Sequence, residues 1–259
     1  MSTNTPWSTP SHPGVYDEIG RRYRTHRSPD PRIAAQIERA LGDATTVCNV
    51  GAGSGAYEPT SRRVLAVEPS REMLRQRGAS EARVVRGVAE ALPFADEAFA
   101  ATLAVLTVHH WLDPDLGLAE LRRIARRRVI FSFDLSRHYD YWLVSDYLPE
   151  IATLEDRCPT VEQIAEGIEA TRIETIWIPH DCRDGFMCAY WRRPEAYLDP
   201  DVRACISAIA QLEPAIVERG ITQLAADLAS GVWRERHGAD LERETMDWGY
   251  RLIVSDPED

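Results

Sequence analysis

Short apolar runs alternate along the chain with stretches in which apolar positions return every three or four residues, from Val47 to Phe133 and again near the carboxyl end. Runs of the first kind suit buried parallel strands, and the second kind suits helices with one apolar face. Their alternation predicts βα repeats in which right-handed crossovers place a helix between successive strands. Strands are expected at 46–50, 63–68, 82–86, 99–105, 128–134, 172–178 and 248–254. About seventy residues separate the last two, with helical patterns at 201–211, 215–228 and 234–243. So long an insertion predicts a helical cap rather than a loop. A further helix is expected near 160–170. Tyr139, Tyr141, Trp142 and Tyr147 crowd together before it, either as a small core or as a roof over a pocket.

The first strand runs into Gly51-Ala52-Gly53-Ser54-Gly55, and the second ends on Glu68. Glycines after a buried strand permit a tight turn with positive φ and let a ligand approach the main chain. A carboxylate at the tip of the neighbouring strand is placed to accept hydrogen bonds from a ribose. The turn is ambiguous on its own, because Gly51, Gly53 and Ala56 also fit the Gly-x-Gly-x-x-Gly/Ala pattern of nicotinamide and flavin enzymes.

Composition narrows the chemistry. Of 259 residues, 44% are hydrophobic and 27% charged, which suits a globular α/β domain with a modest subdomain. The net charge of −11 disfavours a nucleic-acid surface. All 30 basic residues are arginine, so no lysine serves a Schiff base, pyridoxal phosphate or a nucleotide-binding P-loop. The five cysteines lack Cys-x-x-Cys spacing and predict neither a disulfide framework nor a zinc site, which fits a reducing cytoplasm. Residues 1–13 read as a flexible leader, and the longest apolar stretch, 98–108, is too short to span a membrane. Five arginines between Leu121 and Arg128 read as a solvated helix end before a strand. The segment from His180 to Phe186 carries metal-competent side chains without ligand spacing, and no metal is expected there. No Gly-x-Ser-x-Gly elbow is present.

Three segments carry a resemblance. Glu68-Pro69-Ser70-Arg71-Glu72-Met73-Leu74, Gly87-Val88-Ala89-Glu90-Ala91-Leu92-Pro93-Phe94 and Leu106-Thr107-Val108-His109-His110-Trp111 occur in this order. They resemble segments of class I S-adenosylmethionine-dependent methyltransferases, in particular the small-molecule group called type 11. The resemblance implies a Rossmann-like doubly wound α/β sheet of order 3-2-1-4-5-7-6, its last strand antiparallel. It implies a leader and lid over 1–30, a cofactor-binding core over 31–180, a cap over 181–245 and a final strand within 246–259. S-adenosyl-L-methionine is the implied cofactor. The implied cofactor-binding residues are Asn49, Gly51, Ala52, Gly53, Gly55, Glu68, Pro69, Ser70, Met73, Val88, Ala89, Glu90 and Leu106, with Glu68 on the ribose and the segment 87–94 lining the adenine. Tyr23 and Arg27 would close over the carboxylate. His110, and after it His109, are candidate general bases, with Asp134 and His138 as secondary candidates for orienting the substrate.

The chain departs from the family's pattern at Asn49 before the glycine turn, at Val88, and at Ala100 where the fourth strand begins, each standing where an acidic residue is usual. The implied partner is a small-molecule acceptor, with neither nucleic acid nor membrane, and the oligomeric state is not legible. A protein of this fold that binds the cofactor without methylating, such as a cyclase, regulator or scaffold, stays open. A nicotinamide-dependent oxidoreductase stays open as a more remote reading.

Overall fold

The structure, a computed structural model, describes residues 26–78, 82–155 and 158–257. Its strands are β1 (Thr46–Val50), β2 (Arg63–Val67), β3 (Arg83–Val85), β4 (Phe99–Val105), β5 (Ala125–Phe133), β6 (Arg172–Thr175), β7 (Ile178–Pro179), β8 (Thr245–Met246) and β9 (Tyr250–Ser255). Seven of them form one sheet in the order β3-β2-β1-β4-β5-β9-β6. Strands β1 to β5 are mutually parallel, while β9 runs antiparallel between β5 and β6. The doubly wound order expected from the sequence is therefore present, with β9 as its seventh strand.

Helices α1 (Pro31–Ala40), α2 (Arg71–Gln76), α3 (Pro114–Ile124), α4 (Leu135–Tyr139), α5 (Glu150–Glu155) and α6 (Val161–Gly167) connect or follow the strands. Their starts are written in the sequence. Asp30 caps α1 by accepting from Arg32 N–H, Asp113 caps α3 by accepting from Leu116 N–H, and Thr160 with Gln163 forms a capping box on α6.

Alternate strand residues feed two cores. Val47, Val129, Phe131, Leu252 and Val254 face α1 and the segments that follow β5 and β7, whereas Cys48, Val50, Ile130 and Ile253 face Leu118, Leu121 and Ile124 of α3 and Ile164 of α6. The two-residue period of the strands thus gives each face its own apolar layer.

Between β7 and β8 lie α7 (Pro200–Ala204), α8 (Ser207–Ala210), α9 (Pro214–Ser230) and α10 (Val232–His237). The pattern at 201–211 breaks into two short helices, and that at 234–243 becomes α10 followed by a 3-10 turn. The sixth strand stops at Thr175 rather than 178, and β7 pairs with β8 instead. The last strand begins at Tyr250, because Gly249 turns with φ +85° and a Cβ there would meet the Asp134 carbonyl at 2.7 Å. The fifth strand starts early, at Ala125. Only Arg122 and Arg123 of the arginine run belong to α3; Arg127 joins Asp256 and Arg128 donates to the Ile168 carbonyl, which carries their chain into the sheet.

The aromatic cluster forms a core and not a pocket roof. Tyr141, Trp142 and Tyr147 are buried. Trp142 meets Tyr197 and Trp233 edge-on, with centroids 5.5 and 5.3 Å apart, and Tyr141 meets Trp248 at 4.8 Å. Among the described residues no helix is long and apolar enough to cross a membrane.

Candidate functional site

The carboxyl ends of β1, β2 and β4 open into a cleft of about 1100 Å³, counting space continuous with solvent. Its floor is the glycine turn. Gly51, Gly53 and Gly55 have φ of +69°, +54° and +95°. The N–H groups of Gly51 and Ala52 both donate to the Val67 carbonyl, at 2.9 and 3.1 Å, folding the turn over the end of β2. A Cβ on Gly51 would lie within 2.8 Å of Thr107 Cβ, whereas one on Gly53 would meet nothing within 4 Å. Gly51 is required for packing, and Gly53 keeps the cleft floor open.

Glu68 is buried where β2 ends. Its Oε2 accepts from Gly53 N–H at 2.7 Å and its Oε1 from Ser70 N–H at 2.8 Å. Each carboxylate oxygen has two acceptor sites, and the Glu68 carboxylate lines the cleft. Ser70 caps α2 by accepting from Met73 N–H at 3.2 Å, and Met73 packs beneath the cleft wall. Pro69, Val88, Ala89 and Leu106 line the same space. Leu106, with φ +48°, and Tyr57, with φ +62°, are non-glycine residues held in the left-handed region on the cleft wall. Strain of this kind gathers at ligand-binding sites.

Glu90 lines the cleft, but its Oε1 accepts from the N–H groups of Leu112 and Asp113, at 2.7 and 3.2 Å, and so secures the loop before α3. Gly55 does not line the cleft; its N–H closes the turn onto the Ala52 carbonyl at 2.9 Å. Ala100 stands at the start of β4, about 17 Å from the cleft-lining Val105 at strand rise, where its N–H donates to Thr46 Oγ1. An acidic residue at Ala100 would not reach a ligand in the cleft. Tyr23 lies outside the described residues.

The two adjacent histidines separate. His110 lines the cleft, whereas His109 lies behind it, 3.8 Å from the His110 ring centroid and 5.0 Å from that of Phe133. Burial first, then the nearby Arg27 charge, pushes the His110 imidazole down to about 4. Burial holds His109 well below the usual histidine range, with His110, His138 and Arg27 adding to the effect. Both rings are neutral at pH 7 and weakly basic. Asp134 and His138 are not part of the cleft: Asp134 caps α4 through Ser136 N–H, and His138 stacks on Phe133.

Arg27 reaches the cleft from the N-terminal side. Its Nε and Nη2 donate to the fully buried Asp184, at 2.5 and 3.3 Å. In the same segment Asp181 pairs with Arg32, and His180 with Glu244. Asp181 and Asp184 thus fasten residues 27–32 to the segment after β7, His180 ties that segment to Glu244 before β8, and no metal-holding cluster occurs among the described residues.

Sequence reasoning gave no site role to Ser54, Ala56, Tyr57, Thr107, Trp111 and Leu112, which also line the cleft. Thr107 and Trp111 stand inside the third resembling segment, which was the available signal for them. Nothing local marks Tyr57.

A methyltransferase domain family matches residues 48–133. The crystal structure of a putative methyltransferase from an antibiotic biosynthesis pathway of Anabaena variabilis shares 32% identity, covers 89% of this chain and 98% of that one, and superposes with a TM-score of 0.81. The uncharacterized methyltransferase YcgJ of Bacillus subtilis is 26% identical over 121 residues, and this match spans 42% of the present chain and 44% of YcgJ. Geranyl diphosphate C-methyltransferase from Streptomyces coelicolor covers 99% of this chain and 100% of its own, with 15% identity and a TM-score of 0.52, a likeness of fold alone.

Proposed function

The chain belongs to the class I S-adenosylmethionine-dependent methyltransferases, and on that premise we propose that it methylates a small molecule whose nucleophilic atom needs no strong base. The observation that carries this reading is the cleft itself, where Glu68 and the glycine turn are hydrogen-bonded to one another at the carboxyl ends of adjacent strands. Ligands of open α/β sheets bind at that position.

S-adenosylmethionine is the cofactor, and its sulfonium supplies an already activated methyl group. The residues present fit it. Glu68 offers acceptor capacity to ribose hydroxyls, Val88, Ala89 and Leu112 offer an apolar wall to adenine, and the open floor at Gly53 admits a ligand against the main chain. Arg27, anchored by Asp184, presents a guanidinium to the carboxylate end.

The remaining work is alignment and exclusion of water, and proximity alone supplies roughly 7–11 kcal/mol. His110 orients the acceptor, its neutral ring accepting a hydrogen bond from an amine N–H or donating its own N–H to an anionic sulfur or oxygen. With its basicity so reduced, it is matched to amines, thiolates or oxygens already ionised, not to alcohols that must lose a proton. In the same reading residues 31–180 form the cofactor core and 181–245 the cap, and the protein acts in a reducing cytoplasm.

Calorimetric titration with S-adenosylhomocysteine, beside NADH, tests the assignment. Micromolar affinity for the first alone supports it, and a preference for NADH overturns it. A panel of amine, thiol and phenol acceptors then tests methyl transfer. Binding without transfer to any class would favour the non-methylating reading.

A further inference from the structure

Beneath the glycine turn lies a buried ion pair that no cofactor contact explains. Glu58 and Arg77 have side chains 7% and 4% exposed, and Arg77 Nη2 reaches both Glu58 oxygens at 2.8 Å. Arg77 Nη1 also donates to the Gly53 carbonyl at 3.2 Å, so the pair is joined to the cleft floor. Asn49 Nδ2 donates to Glu58 Oε1 at 3.1 Å. Asn49 lines the cleft and is 1% exposed, yet its Oδ1 has no hydrogen-bond partner.

A buried carbonyl oxygen without a donor is costly unless a ligand completes it. A carboxylate only accepts, so the amide must turn its NH₂ toward Glu58 and its oxygen away. The orientation of Asn49 is therefore set by Glu58, whose own place is set by Arg77.

We propose that Glu58 and Arg77 are positioning residues that aim Asn49 Oδ1 at the cationic ammonium of the cofactor's methionine end. This rests on the cofactor assignment above. The negative charge usual at position 49 has moved to Glu58, behind the amide. A carboxylate at 49 would lie at hydrogen-bond distance from Glu58, and two carboxylates that close resist joint ionisation. Asparagine at 49 follows from glutamate at 58.

The test uses two ligands, S-adenosylhomocysteine and methylthioadenosine, which share the nucleoside but of which only the first carries the ammonium. Calorimetry with wild type, Asn49→Ala and Glu58→Gln reads the difference. The expected result is a loss of S-adenosylhomocysteine affinity of about tenfold or more in both variants, with methylthioadenosine affinity changed by less than about twofold. If Glu58→Gln fails to fold, Glu58→Gln with Arg77→Met removes both buried charges and is read the same way. Equal weakening of both ligands would reduce the pair to a structural support, and no change in either would remove the role; both results overturn the proposal. Wild type binding neither ligand overturns the cofactor assignment with it. Wild type binding both ligands alike leaves the cleft assignment standing and overturns the ammonium site.

Discussion

Glu68 accepts a hydrogen bond from Gly53 N–H at 2.7 Å, tying the acidic tip of β2 to the middle of the glycine turn fifteen residues earlier. One carboxylate thus supports the loop and faces the cleft. Glu68→Ala removes the acceptor of two main-chain N–H groups as well as the proposed ribose contact. The expected loss of S-adenosylhomocysteine affinity is about 30-fold or more, with a drop in stability of about 1–3 kcal/mol. Calorimetry and urea unfolding measure the two effects, and unchanged affinity would remove Glu68 from the site.

Gly51→Ala faces both a left-handed backbone, φ +69°, and the side chain of Thr107. It should cost more than about 2 kcal/mol, while Gly53→Ala, which has open space but φ +54°, should cost about 1–2 kcal/mol. Paired urea curves give the ranking. A Gly51→Ala variant as stable as wild type would mean that Thr107 does not close on the turn.

The histidine pair makes stability depend on pH. The folded His110 imidazole sits near 4 against an ordinary value of about 6.5, so between those values the unfolded chain holds a proton that the folded chain lacks. The stabilisation is present in full above about 6.5 and is lost as pH falls toward 4. Wild type should lose stability more steeply than His110→Gln across this window, by about 1 kcal/mol per pH unit. Identical slopes would place His110 in solvent. For the same reason kcat/KM should show no imidazole limb between about pH 5.5 and 8, and a limb near 6.5 would contradict the lowered basicity of His110.

Trp142→Ala should destabilise the fold by about 3–5 kcal/mol, because it empties the contact among Tyr147, Tyr197 and Trp233. Its affinity for S-adenosylhomocysteine should stay within about twofold of wild type, since Trp142 is not on the cleft wall. A large affinity loss in folded protein would return the aromatic cluster to the pocket.

The sequence by itself determined the parallel strands, the glycine turn, Glu68 at the tip of β2 and most of the cleft lining. These are local properties: the two-residue alternation of β1, β5 and β9 sorts side chains to two faces, and positive φ selects glycine at 51 and 53. What only the tertiary structure decided rests on contacts between distant residues. Arg27 meets Asp184 across 157 positions, Asn49 depends on Glu58 and Arg77, and Tyr57 is carried into the cleft by a turn that no motif marks. Neighbours in sequence also parted: His110 reached the cleft while His109 turned to Phe133, and Glu90 was drawn to the N–H groups before α3. In the 3-10 turn Val108–His110 a one-residue step swings a side chain by about 120°, and a partly buried carboxylate goes to whichever donors the fold brings near; neither outcome is written in local pattern.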